Sequence, residues 1–355
     1  MGEFSEQTPI NIITGFLGSG KTTLLRGLLA APDLSDTAVL INEFGAVGLD
    51  HELVENVTEG TLLLDNGCVC CAIRGDLQDA LRDLLSKRQS GQVPYFRRVV
   101  IETSGLADPA PIAYTLLAEP VLQHHFRLGG IITTVDAVNG WVQLQRFPES
   151  VKQVAMADRL IVTKTDLAEP EQIAALHTSL RRLNKSASVV EVAEGDIQPT
   201  SLLTDDMYDD GGRSREIERW LAAETGEDAL EHDHADHILS FALTYPEPLD
   251  WTAFGIWMTM LLHRHGDNVL RIKGLLNVAG VPTPVLINGV QHIVHPPAHL
   301  PAWPSAERQS RIIFIVRDMD QTVIEASLAA FNKLANPNAQ PGRLVSGKVV
   351  AGRAV

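Results

Sequence analysis

Along the N-terminal part of the chain, short apolar runs rich in β-branched residues alternate with longer stretches of helical period. Ile10 to Thr14 reads as a strand and Thr22 to Ala31 as the helix after it. Ala38 to Asn42 and Arg98 to Glu102 read as further buried strands, followed by Ile131 to Val135, Arg159 to Thr163 and Ser188 to Val192. Helices fall between them, notably Gly75 to Ser86 and Glu169 to Leu183. This alternation predicts an α/β fold with a mainly parallel sheet covered by helices.

The pattern breaks over residues 204–237. Asp205-Asp206, Asp209-Asp210-Gly211-Gly212 and the run His232-Asp233-His234-Ala235-Asp236-His237 are polar, with one short helical stretch, Arg215 to Ala223, between them. They read as an acidic, His-rich linker. Beyond it Ile238 to Tyr245 alternates like a strand, and Asp250 to His265 reads as a helix with Asp250 as its N-cap. Val269 to Val278, Thr283 to Asn288 and Arg311 to Val316 suggest an antiparallel sheet, and Asp320 to Leu334 a closing helix. The expected organisation is therefore an α/β domain over residues 1–203, the linker, a smaller α+β domain over 238–335, and a Pro- and Gly-containing tail over 336–355 that reads as disordered. No internal repeat is visible.

Composition narrows the classes. Lys and Arg number 29 against 44 Asp and Glu, a formal net charge of −15. That balance argues against a nucleic-acid partner, which requires clustered cations. No run approaches the ~18 apolar residues of a membrane helix. The first apolar run is preceded by Glu3 and Glu6 and broken by Thr14 and Gly15, unlike a signal peptide. All 3 cysteines fall between Cys68 and Cys71, so a disulfide framework is not expected. A cytoplasmic protein with no membrane association is the expectation.

Three motifs then carry chemistry. Gly15-Phe16-Leu17-Gly18-Ser19-Gly20-Lys21-Thr22 fits G-x-x-x-x-G-K-[ST] and lies between a predicted strand and a predicted helix. Gly15, Gly18 and Gly20 let the backbone curl so that successive N–H groups, with those of Ser19 and Thr23, face phosphate oxygens at a helix N-terminus. Lys21 is expected to reach the β- and γ-phosphates and Thr22 to ligate Mg²⁺. Leu160 to Asp166 ends a buried strand in Thr163-Lys164-Thr165-Asp166. A carboxylate at Asp166 can accept from both N1–H and the 2-amino group of guanine, a pair adenine lacks. Lys164 is expected to lay its stem over the base. Val99 to Gly105 is an apolar strand ending in E-x-x-G, with Glu102 placed to hold Mg²⁺ and Gly105 to let a backbone N–H approach the γ-phosphate.

A fourth feature is metal-like. Cys68, Cys70 and Cys71 cluster after Gly67; Cys68 and Cys70 share a face in extended chain, and a turn brings Cys71 in. Clustered thiolates suit Zn²⁺, with Cu⁺ or Co²⁺ also open. Three cysteines cannot complete a Cys₄ site, so Glu43 of Asn42-Glu43-Phe44-Gly45, a His, water or a second subunit would have to contribute. Glu43 is open to an Mg²⁺ or switch role as well, or to an ordinary strand-end turn. His232, His234 and His237 are candidates for accessory metal capture or for a merely soluble linker.

Taken together, GFLGSGKTT, NEFG, GCVCC, ETSG and TKTD resemble the CobW-like subfamily of P-loop GTPases, a group that includes zinc and cobalt metallochaperones. The resemblance spans nearly the whole chain, with Arg271-Ile272-Lys273-Gly274 in the C-terminal part. It implies a P-loop NTPase fold and a cycle in which Mg²⁺ and GTP order the loops carrying Glu43 and the cysteines, so that metal binds tightly and hydrolysis releases it to a client metalloprotein or metal-insertion machinery. It leaves open a monomer or a metal- or nucleotide-dependent homodimer. Two other classes remain at this point: a P-loop small-molecule kinase, and a metal-responsive nucleotide-binding regulator.

Overall fold

The computed structural model describes residues 7–41, 62–65, 73–193, 202–203 and 238–335. The expected helix Arg215 to Ala223 lies outside them. The chain divides into two units, Met1–Glu216 and Ile217–Val355.

In the first unit the strands are β1 (Thr8–Gly15), β2 (Thr37–Ile41), β3 (Leu62–Asp65), β4 (Arg98–Glu102), β5 (Phe126–Asp136), β6 (Arg159–Thr163) and β7 (Ser188–Glu191). Among the described residues they form one seven-stranded sheet in the order β3-β2-β4-β1-β5-β6-β7, every pairing parallel. The first helix, α1 (Lys21–Leu29), buries Leu24, Leu25, Leu28 and Leu29 on one face. That face packs on Ile13, Val39, Val100, Ile132 and Ile161, so the helix after the glycine-rich loop is anchored to five adjacent strands. Further helices are α2 (Ile73–Gln89), α3 (Ala110–Ala118), α4 (Pro120–His125), α5 (Gly140–Arg146), α6 (Pro148–Met156) and α7 (Pro170–Leu183).

Element limits depart from the sequence reading for local reasons. Helix α1 stops at Leu29 rather than Ala31, because Ala31 precedes Pro32 and takes the extended conformation that a following proline imposes. Strand β5 begins at Phe126, well before Ile131. At Gly129 the strand runs close against Asn11 of β1, where a Cβ would meet the Asn11 Oδ1 at 2.7 Å. The short strand β3 was not foreseen, since four residues offer too little period to read.

In the second unit β8 (Ile238–Tyr245), β9 (Val269–Leu276), β10 (Val285–Val290), β11 (Ile293–Val294) and β13 (Ser310–Arg317) pair in the order β11-β10-β9-β13-β8, with β12 (Ala298–His299) on β10. All these pairings are antiparallel. Helices α8 (Trp251–His265) and α9 (Gln321–Ala335) supply Phe254, Trp257, Leu261, Ile324 and Leu328 to a core that includes Phe241, Leu243, Ile272, Ile312 and Phe314. Asp250 caps α8 as expected, accepting from Ala253 N–H at 2.8 Å.

Candidate nucleotide-binding site

The register of the parallel sheet brings the motifs to one edge. Ile13 and Ile41 both pair with Glu102, Gly15 with Thr134, and Asp136 with Thr163. The carboxyl ends of β1, β2, β4, β5 and β6 are therefore neighbours, and ligands of open α/β sheets bind outside such ends, where the strand order reverses. A cleft of about 350 Å³ opens there, lined by Gly18, Gly20, Lys21, Thr22 and Thr23, by Glu102 to Gly105, and by Ile41 and Lys164.

The loop between β1 and α1 is curled by its glycines. Gly18 and Gly20 have φ of 71° and 90°, in the region that favours glycine, and Gly20 sits at the N-cap of α1. A Cβ on Gly15 would lie 2.3 Å from the Thr134 hydroxyl, so only glycine fits there. The loop is fixed from below by buried hydroxyls. Ser19 Oγ and Thr134 Oγ1 are 2.6 Å apart, and Thr134 Oγ1 donates to the Thr14 carbonyl at 3.3 Å. Thr103 Oγ1 donates to Thr14 Oγ1 at 2.8 Å, and Thr163 Oγ1 to the Ser19 carbonyl at 2.8 Å. These bonds tie the ends of β4, β1, β5 and β6 to the loop.

Lys21 folds back over the loop, its Nζ donating to the carbonyls of Gly15 at 3.0 Å and Phe16 at 3.2 Å. Thr22 Oγ1 donates to Glu102 Oε1 at 2.8 Å. A hydroxyl and a carboxylate thus meet at the mouth of the helix, the pair of oxygen donors that a small hard cation takes. Gly105 passes directly beside the loop: a Cβ there would sit 2.7 Å from both the backbone N and the Cα of Leu17. The donor set and the close backbone passage fit a Mg²⁺-bound triphosphate.

At the far side of the cleft Lys164 takes a left-handed conformation, φ 58° and ψ 33°. Its Nζ donates to the Gly18 carbonyl at 2.8 Å and to Asp136 Oδ2 at 2.7 Å. The residue expected to pack its stem over a base is thus bonded to the phosphate loop. Asp166 follows on the turn Thr165–Leu167 and is exposed. Asp136 was missed in the sequence. It is buried, and burial pushes its carboxyl up; bonds from the Lys164 ammonium, the Asn139 side chain and the N–H groups of Val138 and Asn139 outweigh this and hold it below the usual aspartate value. The available signal was a carboxylate closing an apolar run, with Asn139 three positions on. Glu43, Cys68, Cys70, Cys71, His232, His234 and His237 lie outside the described residues. Among the described residues, no three His, Cys, Asp or Glu side chains are grouped to hold a metal ion. None of the described helices is long and apolar enough to cross a membrane.

A curled strand–loop–helix anion cradle, a Thr–Glu oxygen pair and a Thr-Lys-x-Asp loop at one sheet edge define a P-loop nucleotide-binding domain. Residues 9–191 match the family described as CobW/HypB/UreG, nucleotide-binding domain, and residues 238–332 match the Cobalamin synthesis protein cobW C-terminal domain. The chain belongs to the CobW family of P-loop GTPases. It is 35% identical over 325 residues to the zinc chaperone YjiA of Escherichia coli (strain K12), a match covering 91% of this chain and 98% of that one. It is 28% identical over 356 residues to the zinc chaperone CobW of Sinorhizobium sp, covering 91% and 96%. The crystal structure of Zn(II)-bound YjiA GTPase from E. coli superposes with a TM-score of 0.69 at 30% identity, over 92% of this chain and 99% of that one.

Proposed function

We propose that this protein hydrolyses GTP and uses the cycle to load a transition metal, zinc in the first instance, and to release it to a client metalloprotein. Its relatives are named zinc chaperones, and the crystal structure it resembles is that of a Zn(II)-bound GTPase. The observation that carries the coupling is the register of the sheet edge. Ile41, the last residue of β2, lines the nucleotide cleft and pairs with both Glu102 and Asp65, the last residue of β3. Glu43 follows β2 and Cys68 follows β3 within three residues. The strand ends that precede both metal-motif segments thus lie side by side at the cleft, which supports a coupling between cargo and nucleotide.

In this reading the loop N–H groups of Gly15 to Thr23 and Lys21 hold the phosphates, Thr22 and Glu102 hold the cation, and Asp166 selects guanine. Mg²⁺, when bound, neutralises charge developing on the β- and γ-phosphate oxygens. Gly105 runs against Leu17 of the phosphate loop, which makes the segment after β4 a candidate to respond to hydrolysis. Cys68, Cys70 and Cys71 supply thiolates to the cargo, with Glu43 as an oxygen donor; cobalt is accepted by the same donors. His232, His234 and His237 serve as an accessory capture site.

The test is a titration of Zn²⁺ and Co²⁺ against a competing chelator in the presence of Mg²⁺ with GDP or a non-hydrolysable GTP analogue. The analogue is expected to tighten metal at least tenfold, about 1.4 kcal/mol of coupling. A Co²⁺–thiolate charge-transfer band reports cysteine ligation, and Cys70→Ala should weaken both band and affinity. Equal metal affinity with either nucleotide would end the coupled-carrier reading.

A further inference from the structure

We propose that Asp136 is a positioning residue: it clamps the Lys164 ammonium across the phosphate-binding loop and so holds the loop that presents Asp166 to the base. This deepens the site just described and rests on the reading of Thr163 to Asp166 as the guanine-contacting loop.

The two carboxylate oxygens have separate tasks. Oδ1 accepts from the backbone N–H groups of Val138 at 2.8 Å and Asn139 at 3.2 Å, closing the turn into α5. Oδ2 accepts from Asn139 Nδ2 at 3.1 Å and from Lys164 Nζ at 2.7 Å. The Asp136 side chain is 2% exposed while that of Lys164 is 36% exposed, so the buried carboxylate is the fixed partner and the lysine the recruited one. Low local dielectric and four donors make it a strong, oriented acceptor.

What the clamp holds is a strained piece of backbone. Lys164 sits at φ 58°, a conformation unfavourable for a side-chain-bearing residue, so surrounding bonds must enforce it. Those bonds are its own ammonium to Asp136 and to the Gly18 carbonyl, and the Leu167 N–H donating to its carbonyl at 3.0 Å. Gly18 belongs to the phosphate loop and Asp166 stands two residues after Lys164. One ammonium therefore ties the end of β5, the phosphate loop and the base-reading turn together. Without the charge on Asp136, Lys164 retains only a neutral carbonyl as partner, its backbone is free to relax, and Asp166 loses its direction.

Asp136→Asn separates the tasks, because the amide oxygen still accepts from Val138 and Asn139 while the amide nitrogen faces Lys164. Binding of fluorescent GDP and GTP is measured for wild type, Asp136→Asn, Lys164→Met and the double variant, with ATP as competitor. Asp136→Asn is expected to weaken GDP at least tenfold and to raise KM for GTP, with kcat at saturation within about twofold. The double variant should be no weaker than Lys164→Met alone. Wild-type affinity in Asp136→Asn, or losses that add in full, would overturn the clamp. Lysine-ammonium NMR on the wild-type protein needs no variant: a slowly exchanging Lys164 signal is expected, and a freely exchanging one refutes the proposal. A wild-type protein without preference for GTP over ATP would instead refute guanine reading by Asp166, and the Asp136–Lys164 coupling would still be read with whichever nucleotide binds.

Discussion

Gly105 has no room for a methyl group. A Cβ there would meet the Leu17 backbone at 2.7 Å, and a backbone neighbour cannot swing aside as a side-chain end can. Gly105→Ala is therefore expected to push apart the Glu102–Gly105 segment and the phosphate loop, lowering GTP turnover at least tenfold, as single-turnover hydrolysis would report. Asp136 predicts a pH dependence. Its folded carboxyl is held below the usual aspartate value, so the stability it adds is present above the unfolded pKa of about 3.9 and is lost as pH falls through the lower folded value. Thermal melts of wild type and Asp136→Asn should differ at about pH 5 and converge only below about pH 4. At this scale the glycine loop, Glu102, Thr163 and Lys164 stood out in the sequence as motifs, and the structure brings them to one sheet edge. Asp136, Thr134 and Thr14 did not stand out, because Lys164, Ser19 and Thr103, which their side chains meet, are 28, 115 and 89 positions away.

Elements were legible where a period or a punctuating residue marked them. The helix Pro170–Leu183 shows both. Glu169 and Gln172 form a reciprocal capping box, Pro170 takes the first turn, and Leu176 and Leu180 bury one face. Asp250 similarly announces Trp251–His265, and that cap has a measurable worth. Asp250→Ala should destabilise the C-terminal unit by about 1 kcal/mol, seen as a lowered melting temperature with the far-UV spectrum unchanged. The helix it starts is held to the last one by more than apolar contact, since Trp257 Nε1 donates to Ser327 Oγ at 2.9 Å. Strand Phe126–Asp136 shows the opposite case. Its sequence reading began at Ile131, whereas the strand starts at Phe126 and pairs with Thr8–Gly15 through a register shift beside Asn11, against whose side chain Gly129 fits closely. Leu62–Asp65 is too short for its period to be read and exists as a strand because Thr37–Ile41 offers a parallel edge to pair with.

For the molecule as a whole, coupling between nucleotide and metal must be reciprocal. If Zn²⁺ binds about tenfold tighter with the GTP analogue than with GDP, Zn²⁺ must raise the preference for analogue over GDP by the same factor. Measuring analogue and GDP affinities with and without Zn²⁺ checks this without any assay of metal transfer, and unequal factors would mean that the two titrations report different sites. By itself the sequence determined the class: glycines and Lys-Thr after an apolar strand, a Thr-Lys-x-Asp turn, an E-x-x-G end and clustered thiols are local patterns whose chemistry is written in adjacent residues. Tertiary structure alone decided which of these meet. The strand order β3-β2-β4-β1-β5-β6-β7 places Glu102 against Thr22, the end of β3 beside the cleft, and Asp136 against Lys164. Those pairings span 80 and 28 positions and depend on which strands lie side by side, a choice made by packing of the whole sheet against its helices rather than by any local run of residues.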